Sequence, residues 1–198
     1  MKQKLCPLTI TTTIITTVIS LAILLGASPS FAWYYAVGAS DGGDADASGF
    51  TLEIGKKDVM IFDHSFLFAA AVPVILHSDS HVPSGTNPGP VPHNDFTLLG
   101  EENDGTERGL IGKIGMEIQD YDVFVNLILG ATKANTVTVA RSNTTQETYI
   151  EDRGDEMNGV YGLGFSYFPE FMDGTLKMNF QLDIDNRRGV TGYVGWCW

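Results

Sequence analysis

The chain has 198 residues and is acidic, with 24 Asp and Glu against 12 Lys and Arg and a formal charge of −12 at pH 7. This balance disfavours nucleic acid as a partner, because a phosphate backbone is bound by a surplus of Lys and Arg. Beyond the N-terminal segment no apolar run approaches the ~18 residues of a spanning helix, which excludes a helical membrane protein on length.

The first 32 residues have the pattern of a secretory signal peptide. Lys2 and Lys4 form a basic start, residues 10–25 are uncharged, and Ser30 and Ala32 are the small residues that a signal peptidase reads. The alternative is a permanent transmembrane anchor, since the uncharged run approaches the ~18 residues that a spanning helix needs. Its many threonines and the adjacent processing site favour cleavage.

Cleavage would leave residues 33–198, which fit one domain. Lys2 and Lys4 leave with the signal and no acidic residue does, so 10 basic residues remain against 24 acidic ones, a formal charge of −14. Cys197 is then the only cysteine, so no internal disulfide can form even in an oxidising compartment. Stability must come from the packing of the domain itself.

The mature chain begins with two short strand candidates. Residues 33–40 are rich in aromatic side chains and lead into a loop of Gly and Asp. Residues 50–55 alternate apolar and polar side chains, as a strand with one apolar face does. Residues 56–58 are predicted to form the tight turn after this second strand.

A third strand is expected within the apolar stretch 59–77, although this stretch exceeds the ~9–11 residues of a barrel strand. Asp63 and His64 could mark a bulge or a longer turn inside it. Pro73 cannot donate a hydrogen bond to a neighbouring strand, so we predict an irregularity near it.

Two further strands lie between long polar segments. Residues 78–107 are loop by composition, and 96–99 are a candidate short strand within that loop. Residues 109–118 and 123–131 alternate regularly. A polar segment follows, in which 136–140 are expected to prolong the fifth strand.

The last third of the chain alternates most cleanly. Residues 158–168 and 176–185 each place apolar side chains on one face and polar or small ones on the other. Residues 189–198 do the same, because successive side chains of a strand point to opposite faces. The count reaches eight strands.

The closing strand carries the most specific pattern. Val190, Val194, Trp196 and Trp198 share one face, and the chain stops on the last of these aromatic residues. This strand resembles the closing strand of a bacterial outer-membrane β-barrel, in which the final aromatic residue belongs to the signal read by the insertion machinery. The mature chain as a whole resembles the small eight-stranded form, the OmpX/OmpA transmembrane type.

The resemblance implies an all-β fold, an eight-stranded antiparallel up-and-down transmembrane β-barrel at 33–198 after a cleaved signal peptide at 1–32. It implies a monomer in the bacterial outer membrane, with outer-membrane lipid, lipopolysaccharide and the barrel-assembly machinery as partners. The assembly signal would comprise Val194, Trp196 and Trp198.

Topology follows from the lengths of the connections. With the N-terminus on the periplasmic side, the turns at Lys56, Gln119 and Pro169 are periplasmic and the loops at Asp41, Asp79, Lys133 and Asn186 face outside. A soluble barrel of the lipocalin kind would instead bury the apolar faces. Alternation alone does not separate inside from outside. The terminal Trp198, the aromatic residues of the apolar faces and the glycines of the opposite faces favour lipid outside.

The polar faces of the strands would fill the interior, because an eight-stranded barrel is only just wide enough for side chains. Charges of both signs would meet there and pair. We interpret these inward polar residues as a structural network, with a narrow ion path as the alternative. The network comprises Glu53, Lys113, Glu117, Asn126, Lys177, Gln181 and Asp183.

Residue types of a nucleophile and a base occur where the third strand should leave the membrane, at His77, Ser78, Asp79, Ser80 and His81. Some small outer-membrane barrels are lipid A acylases or acyltransferases that use Ser and His near the rim. Consecutive residues of a strand cannot converge, however, and neither enzyme motif is present. Catalysis is therefore not predicted, and neither is a metal site of these histidines with His93, because no helix is expected to align them.

Acidic clusters in the first two outer loops contain the oxygen ligands that Ca²⁺ prefers, without the spacing of a known calcium loop. The first cluster comprises Asp41, Asp44 and Asp46, and the second comprises Glu101, Glu102, Asp104 and Glu107. Loosely bound Ca²⁺ or Mg²⁺ would relieve their repulsion from membrane phosphates. No other cofactor is expected.

These observations predict a non-enzymatic outer-membrane barrel with a structural or surface-interaction role. A lipid-modifying rim enzyme is the alternative from another class. A small pore, or a binder of apolar molecules that enter through the barrel wall, is a third. Fold analogy alone does not choose among them.

Overall fold

The structure is a computed structural model that describes residues 32–77, 87–88, 96–118, 121–171 and 176–198. The predicted signal peptide lies outside these residues, apart from Ala32. The described part contains eight long strands: β1 (Ala32–Asp41), β2 (Ser48–Ile61), β3 (His64–Leu76), β4 (Phe96–Ile118), β5 (Val123–Ser142), β6 (Thr148–Tyr167), β7 (Leu176–Asp185) and β8 (Gly189–Cys197). Within these residues no helix is long and apolar enough to cross a membrane.

Each strand pairs antiparallel with the next along the chain, and β8 returns to pair with β1. Trp33 and Trp198 close the ring with two backbone hydrogen bonds of 3.2 and 3.0 Å. The predicted fold class, an eight-stranded antiparallel up-and-down barrel, is therefore confirmed. Closure leaves no free strand edge around the barrel, which is the condition for a sheet to cross lipid.

The two surfaces of the barrel have opposite chemistry. On β7, Asn179, Gln181 and Asp183 point inward and are buried, whereas Phe180 and Leu182 point outward and are exposed. The other strands repeat this alternation, so large apolar side chains cover the outside of the barrel, while its interior holds buried polar and charged side chains together with two smaller apolar clusters. This is the inverse of a soluble barrel. We call the apolar outside the outer wall.

The barrel has two dissimilar ends. At the turn end, β2 and β3 are joined at 62–63, β4 and β5 at 119–122, and β6 and β7 at 168–175. At the loop end lie the connections 42–47, 77–95, 143–147 and 186–188. Both ends of the 33–198 segment lie at the turn end, because Trp33 pairs with Trp198.

The turn predicted at 56–58 is wrong. Strand β2 continues to Ile61, and the chain reverses at 62–63 instead. A bulge lies between Lys56 and Val59, where the pairing with β3 shifts register and Asp58 has a φ of 61°. A bulge inserts an extra residue, which bends the strand without ending it. The polar residues 56–58 that form this bulge were therefore mistaken for a turn.

Strands β4, β5 and β6 are much longer than predicted. Residues 96–118 form one strand rather than a loop with a short strand inside it, and the loop expected at Lys133 lies further on, at 143–147. The predicted prolongation of the fifth strand through 136–140 is confirmed. Polar composition misled the prediction because strands that extend past the membrane need no apolar face.

The irregularity expected near Pro73 takes the form of a gap. Strand β3 pairs with β4 through Ala71 and again through Val74, in one continuous register, while no pair joins Val72 or Pro73 to β4. Proline has no N–H to donate, so the interruption falls where the ladder lacks a donor.

Candidate functional site

A buried ion cluster ties four strands together across the lumen. Lys113 Nζ on β4 lies 2.5 Å from Glu53 Oε2 on β2 and 2.6 Å from Asp183 Oδ2 on β7. Gln181 donates to Glu53 Oε1 at 2.8 Å, and Tyr34 on β1 donates its hydroxyl to the same oxygen at 2.9 Å. Breaking such a cluster by removing one partner is costly because the remaining charge stays buried.

Arg188 adds a second layer on the loop-end side of this cluster. Its buried guanidinium donates four hydrogen bonds: Nε to Asp185 at 2.7 Å, Nη1 to Tyr193 at 2.6 Å and to Thr51 at 3.1 Å, and Nη2 to Asp183 at 3.3 Å. Nη2 also lies 2.7 Å from Asp185 Oδ2. The planar fork of Arg suits this arrangement, since a Lys ammonium has only three donors.

The charges of the described lumen nearly cancel. Its buried carboxylates are Glu53, Glu107, Asp183 and Asp185, and its buried permanent cations are Lys113, Arg187 and Arg188. Each of these side chains contacts at least one of opposite sign. An ion that crossed the barrel would have to displace these pairs, so the arrangement fits a plug better than a path.

Glycine makes room for the largest inward side chains. In five directly opposed cross-strand pairs a glycine faces a bulky polar partner, and a Cβ on that glycine would overlap the partner's side chain: Gly38 with Tyr193, Gly55 with Tyr34, Gly115 with Asn126, Gly164 with Asp183 and Gly195 with Asn179. Side-chain volume is therefore matched across strands, which lets a narrow barrel close over a polar interior.

Apolar side chains close the turn end of the lumen. Tyr34, Leu67, Phe124 and Phe168 form a buried cluster, which we call the apolar seal. Phe168 comes from the connection between β6 and β7, and its ring centroid lies 5.2 Å from that of Tyr34 and 5.6 Å from that of Phe124, both edge to face. Its N–H donates to the Asp122 carbonyl at 3.1 Å, which holds the connection against the barrel.

Charged side chains close the lumen at the loop end. Arg187 binds Glu107 through Nε at 2.8 Å and Nη2 at 2.6 Å, and His77 Nε2 lies 2.8 Å from Glu107 Oε2. All three side chains are at most 7% exposed. We call this trio the ionic seal, since it joins the end of β3, the middle of β4 and the β7–β8 connection.

The ionic seal lies beyond the apolar part of the outer wall. Arg108 and Lys133, paired across β4 and β5, point outward and are charged, which marks the upper limit of the lipid-facing surface. Burial alone would raise the pKa of Glu107, but the hydrogen bonds from Arg187 and His77 stabilise its charged form. The net effect lowers the pKa of Glu107 below its ordinary value of 4.5.

Sequence reasoning missed the ionic seal. It assigned Glu107 to an acidic loop and Arg187 to an exposed turn. Glu107 is in phase with Lys113, six residues away on β4, so extending the alternation backward would have placed its side chain inside. No sequence pattern pairs it with Arg187, because the two residues lie 80 positions apart.

The residues predicted to line the lumen divide into two groups. Glu53, Lys113, Gln181 and Asp183 meet in the ion cluster, and Asn126 joins them through Ser166, to which it donates at 2.7 Å. Glu117 is half-buried at the turn end.

Lys177 lies outside this network, which corrects the prediction for that residue. It is exposed at the turn-end start of β7, where its Nζ lies 2.8 Å from Glu170. Its position still alternates in phase with the inward residues, but the barrel wall has already ended there. The ion pair lowers the pKa of Glu170 and raises that of Lys177.

The predicted assembly signal lies on the outer wall. Val194, Trp196 and Trp198 are exposed on one face of the last strand and its end. The Tyr35 ring of β1 contacts both tryptophans, with centroid distances of 5.5 Å. The seam between the first and last strands is therefore covered by three aromatic rings.

Of the rim residues weighed as catalytic, only His77 lies within the described part of the chain, where it contacts Glu107. Ser78, Asp79, Ser80, His81 and His93 lie outside it. Asp41, Asp44 and Asp46 are exposed at the loop end, and the side chains of Glu101 and Glu102 are outside the description. Among the described residues no group of three His, Cys, Asp or Glu converges as metal ligands do.

Closed antiparallel pairing, an apolar exterior and a charge-paired interior define this chain as a small eight-stranded transmembrane β-barrel of the bacterial outer-membrane type. No family model matches the sequence and no curated protein is similar to it. Among solved structures it is similar to Ail, the attachment invasion locus protein of Yersinia pestis, crystallised with the heparin analogue sucrose octasulfate. The two share 14% identity with a TM-score of 0.37, over 84% of this chain and 93% of that one.

Proposed function

We propose that the protein is a non-enzymatic surface-interaction barrel of the outer membrane, which presents a three-stranded sheet on the cell exterior. The length of the strands supports this proposal. Strand β4 has 23 residues and β5 and β6 have 20 each, against 10 in β1 and 9 in β8. Crossing a bilayer takes ~9–11 residues, so about ten residues of each long strand project beyond the lipid.

The projecting sheet is ordered by its own contacts. Phe96 and Tyr149 pack edge to face with centroids 5.4 Å apart, and Thr97 donates to Asn143 at 2.7 Å. A short strand, Asn87–Pro88, adds to β6 beside Tyr149 in parallel. A membrane anchor alone needs no such extension, whereas a rigid sheet offers a partner a preformed surface at little ordering cost.

The charge of the sheet indicates the kind of partner. Acidic residues outnumber basic ones in both 96–107 and 143–156. A cationic protein surface, or a surface reached through divalent ions, fits this charge, while an anionic polysaccharide would be repelled. The barrel itself would remain a monomer that contacts lipid and lipopolysaccharide through the outer wall.

The experiment is a neutralised variant in which Glu101, Glu102, Asp104, Asp155 and Glu156 become Gln or Asn, which removes five negative charges from the projecting segments. Cells that carry the wild type should bind beads coated with polylysine more strongly than cells that carry the neutralised variant at equal surface level. Equal binding by the two would contradict the proposal. Beads coated with a sulfated polysaccharide provide the control of opposite charge.

The closed lumen and the absence of catalysis have separate tests. The protein in a planar bilayer should give no stepwise conductance, because the ion cluster fills the lumen. The mass spectrum of lipid A should be the same in cells with and without the protein. A lipid A acylation change that depends on His77 and Ser78 would instead support a rim enzyme.

A further inference from the structure

The hairpin between β2 and β3 carries an unusual residue at its tip. Phe62 and Asp63 form its two-residue turn with φ values of 49° and 64°, and the side chain of Phe62 is 93% exposed. Two-residue turns with both φ values positive favour Asn, Asp and Gly. A bulky residue in this left-handed region is disfavoured, so folding of the hairpin does not explain Phe62.

Backbone strain that folding does not require points to function. The side chain of Phe62 also contributes little packing, since it is almost fully exposed. Met60 and Ile61, which precede it, are 61% and 37% exposed. The tip therefore displays three consecutive apolar side chains, which would be costly if water were their permanent surroundings.

The outer wall continues onto this hairpin. Past the bulge, Val59 pairs with Phe66, which stacks on Phe68 of the wall at a centroid distance of 6.4 Å. Ile61 lies on the same face one pair further toward the tip, opposite His64. Apolar side chains therefore continue along this face from the lipid-facing surface toward the tip, although Lys56 pairs with Phe68 and His64 with Ile61.

The tip lies within reach of the membrane interface. Lys57 pairs with Ala32 at the end of the β1–β2 ladder, and Phe62 follows five residues later. At ~3.3 Å per residue along a strand tilted by ~40°, with one residue taken up by the bulge, the tip extends about 10 Å past that level. The polar layer on each side of a bilayer is about 5–7 Å thick. The backbone at the tip therefore lies just past this layer, and an anchor requires the Phe62 ring to turn back into it.

Other turn-end residues support the same surroundings. Tyr121, in the neighbouring turn, is 70% exposed, and Trp198 at the seam is 63% exposed. Tyr and Trp side chains are typical of a membrane interface, where an apolar ring and a polar edge are both accommodated. Asp63 and His64 beside Phe62 would face the headgroups.

We propose that the 59–66 hairpin is an interfacial anchor, with Phe62 inserted among the lipids of the leaflet at the turn end. The left-handed backbone at Phe62 directs the ring outward, and the lipid environment compensates for its conformational cost. This inference requires the outer wall to face lipid, and it does not depend on what the projecting sheet binds.

Two substitutions, Phe62→Asn and Phe62→Tyr, test the anchor. The turn backbone favours Asn, whereas lipid insertion favours Tyr. Asn suits the turn backbone but removes the ring, whereas Tyr keeps an interfacial ring in the same disfavoured conformation. We expect Asn to lower the folded-to-unfolded ratio about fivefold to tenfold in urea titrations of protein reconstituted in phosphatidylethanolamine and phosphatidylglycerol vesicles, and Tyr to leave it unchanged. An Asn variant as stable as the wild type would overturn the anchor.

Leu98→Asn is the matched control, since Leu98 is 60% exposed on the projecting sheet, away from lipid. It should not change the ratio. In the same vesicles, the Phe62 ring should be shielded from a water-soluble paramagnetic agent as the outer-wall residue Leu163 is. Shielding of Leu163 without shielding of Phe62 would refute the anchor alone. Shielding of Phe62 that rises with protein density would refute it in favour of a contact between two copies.

Discussion

The lumen is closed by different chemistry at its two ends. The apolar seal at the turn end consists of packed rings and Leu67, whereas the ionic seal at the loop end consists of one carboxylate held by Arg187 and His77. An apolar contact depends on shape and responds little to pH or salt. An ion pair depends on protonation. The comparison shows that one barrel can combine a closure that is insensitive to pH at its turn end with one that depends on protonation at its loop end.

Between the two seals, the ion cluster should be the most sensitive point of the molecule. Lys113→Met removes the cation that contacts both Glu53 and Asp183, so it leaves buried Glu53 without a cation among the described contacts and Asp183 with Arg188 alone. We expect a loss of about 3–5 kcal/mol in the free energy of unfolding, measured by urea titration in vesicles. The triple variant with Glu53→Gln and Asp183→Asn is the control and should recover a large part. A single variant as stable as the wild type would show that the cluster is dispensable.

Removing a ring tests the apolar seal. Phe168→Ala should cost about 3 kcal/mol, because the buried ring leaves a cavity between Tyr34 and Phe124. The loss should be the same at pH 7 and pH 4. Tyr121→Ala, in a neighbouring turn but exposed, should have a much smaller effect. If both substitutions cost the same, the seal is not a packed unit.

Removing a charge from the ionic seal should lower the free energy of unfolding by less than the two substitutions above. Glu107→Gln keeps the shape of the side chain but leaves Arg187 with a neutral partner, and we expect a loss of about 2 kcal/mol at pH 7. The β7–β8 connection should become more accessible to protease from outside. Protease resistance equal to that of the wild type would mean that backbone contacts alone hold this connection.

Acidification should weaken the ionic seal but not the apolar seal. The folded protein holds the pKa of Glu107 below 4.5, so the stability from its charge is present above that pH and is lost as pH falls through the folded pKa. Unfolding free energy in vesicles should therefore drop more steeply below pH 4.5 in the wild type than in Glu107→Gln. Parallel pH profiles would assign the acid sensitivity to other carboxylates.

The smallest effect is expected at the exposed pair of Lys177 and Glu170. Both side chains are about half exposed, so water and salt screen their attraction. Glu170→Gln should leave the urea midpoint unchanged within error, at any salt concentration. A measurable loss would mean that the connection between β6 and β7 depends on this pair as well as on Phe168.

Alternation along the chain was sufficient to predict the class of fold. The regular faces of 176–185 and 189–198 predicted two of the eight strands at nearly their observed bounds, because lipid on one side and a polar lumen on the other impose a strict period of two. Five of the seven predicted lumen residues meet in one network for the same reason. Lys177 differs because alternation continues past the point where the barrel wall ends.

The sequence alone determined the strand pattern, the acidic charge and the aromatic final strand, since each is a local property of consecutive residues. Only the tertiary structure decided that β2 passes through 56–58 as a bulge and that β4 to β6 extend past the lipid, because partner strands supply the hydrogen bonds that these polar segments need. It also decided that Glu107 meets Arg187. Closing the sheet brings together residues 80 positions apart, which no local pattern encodes.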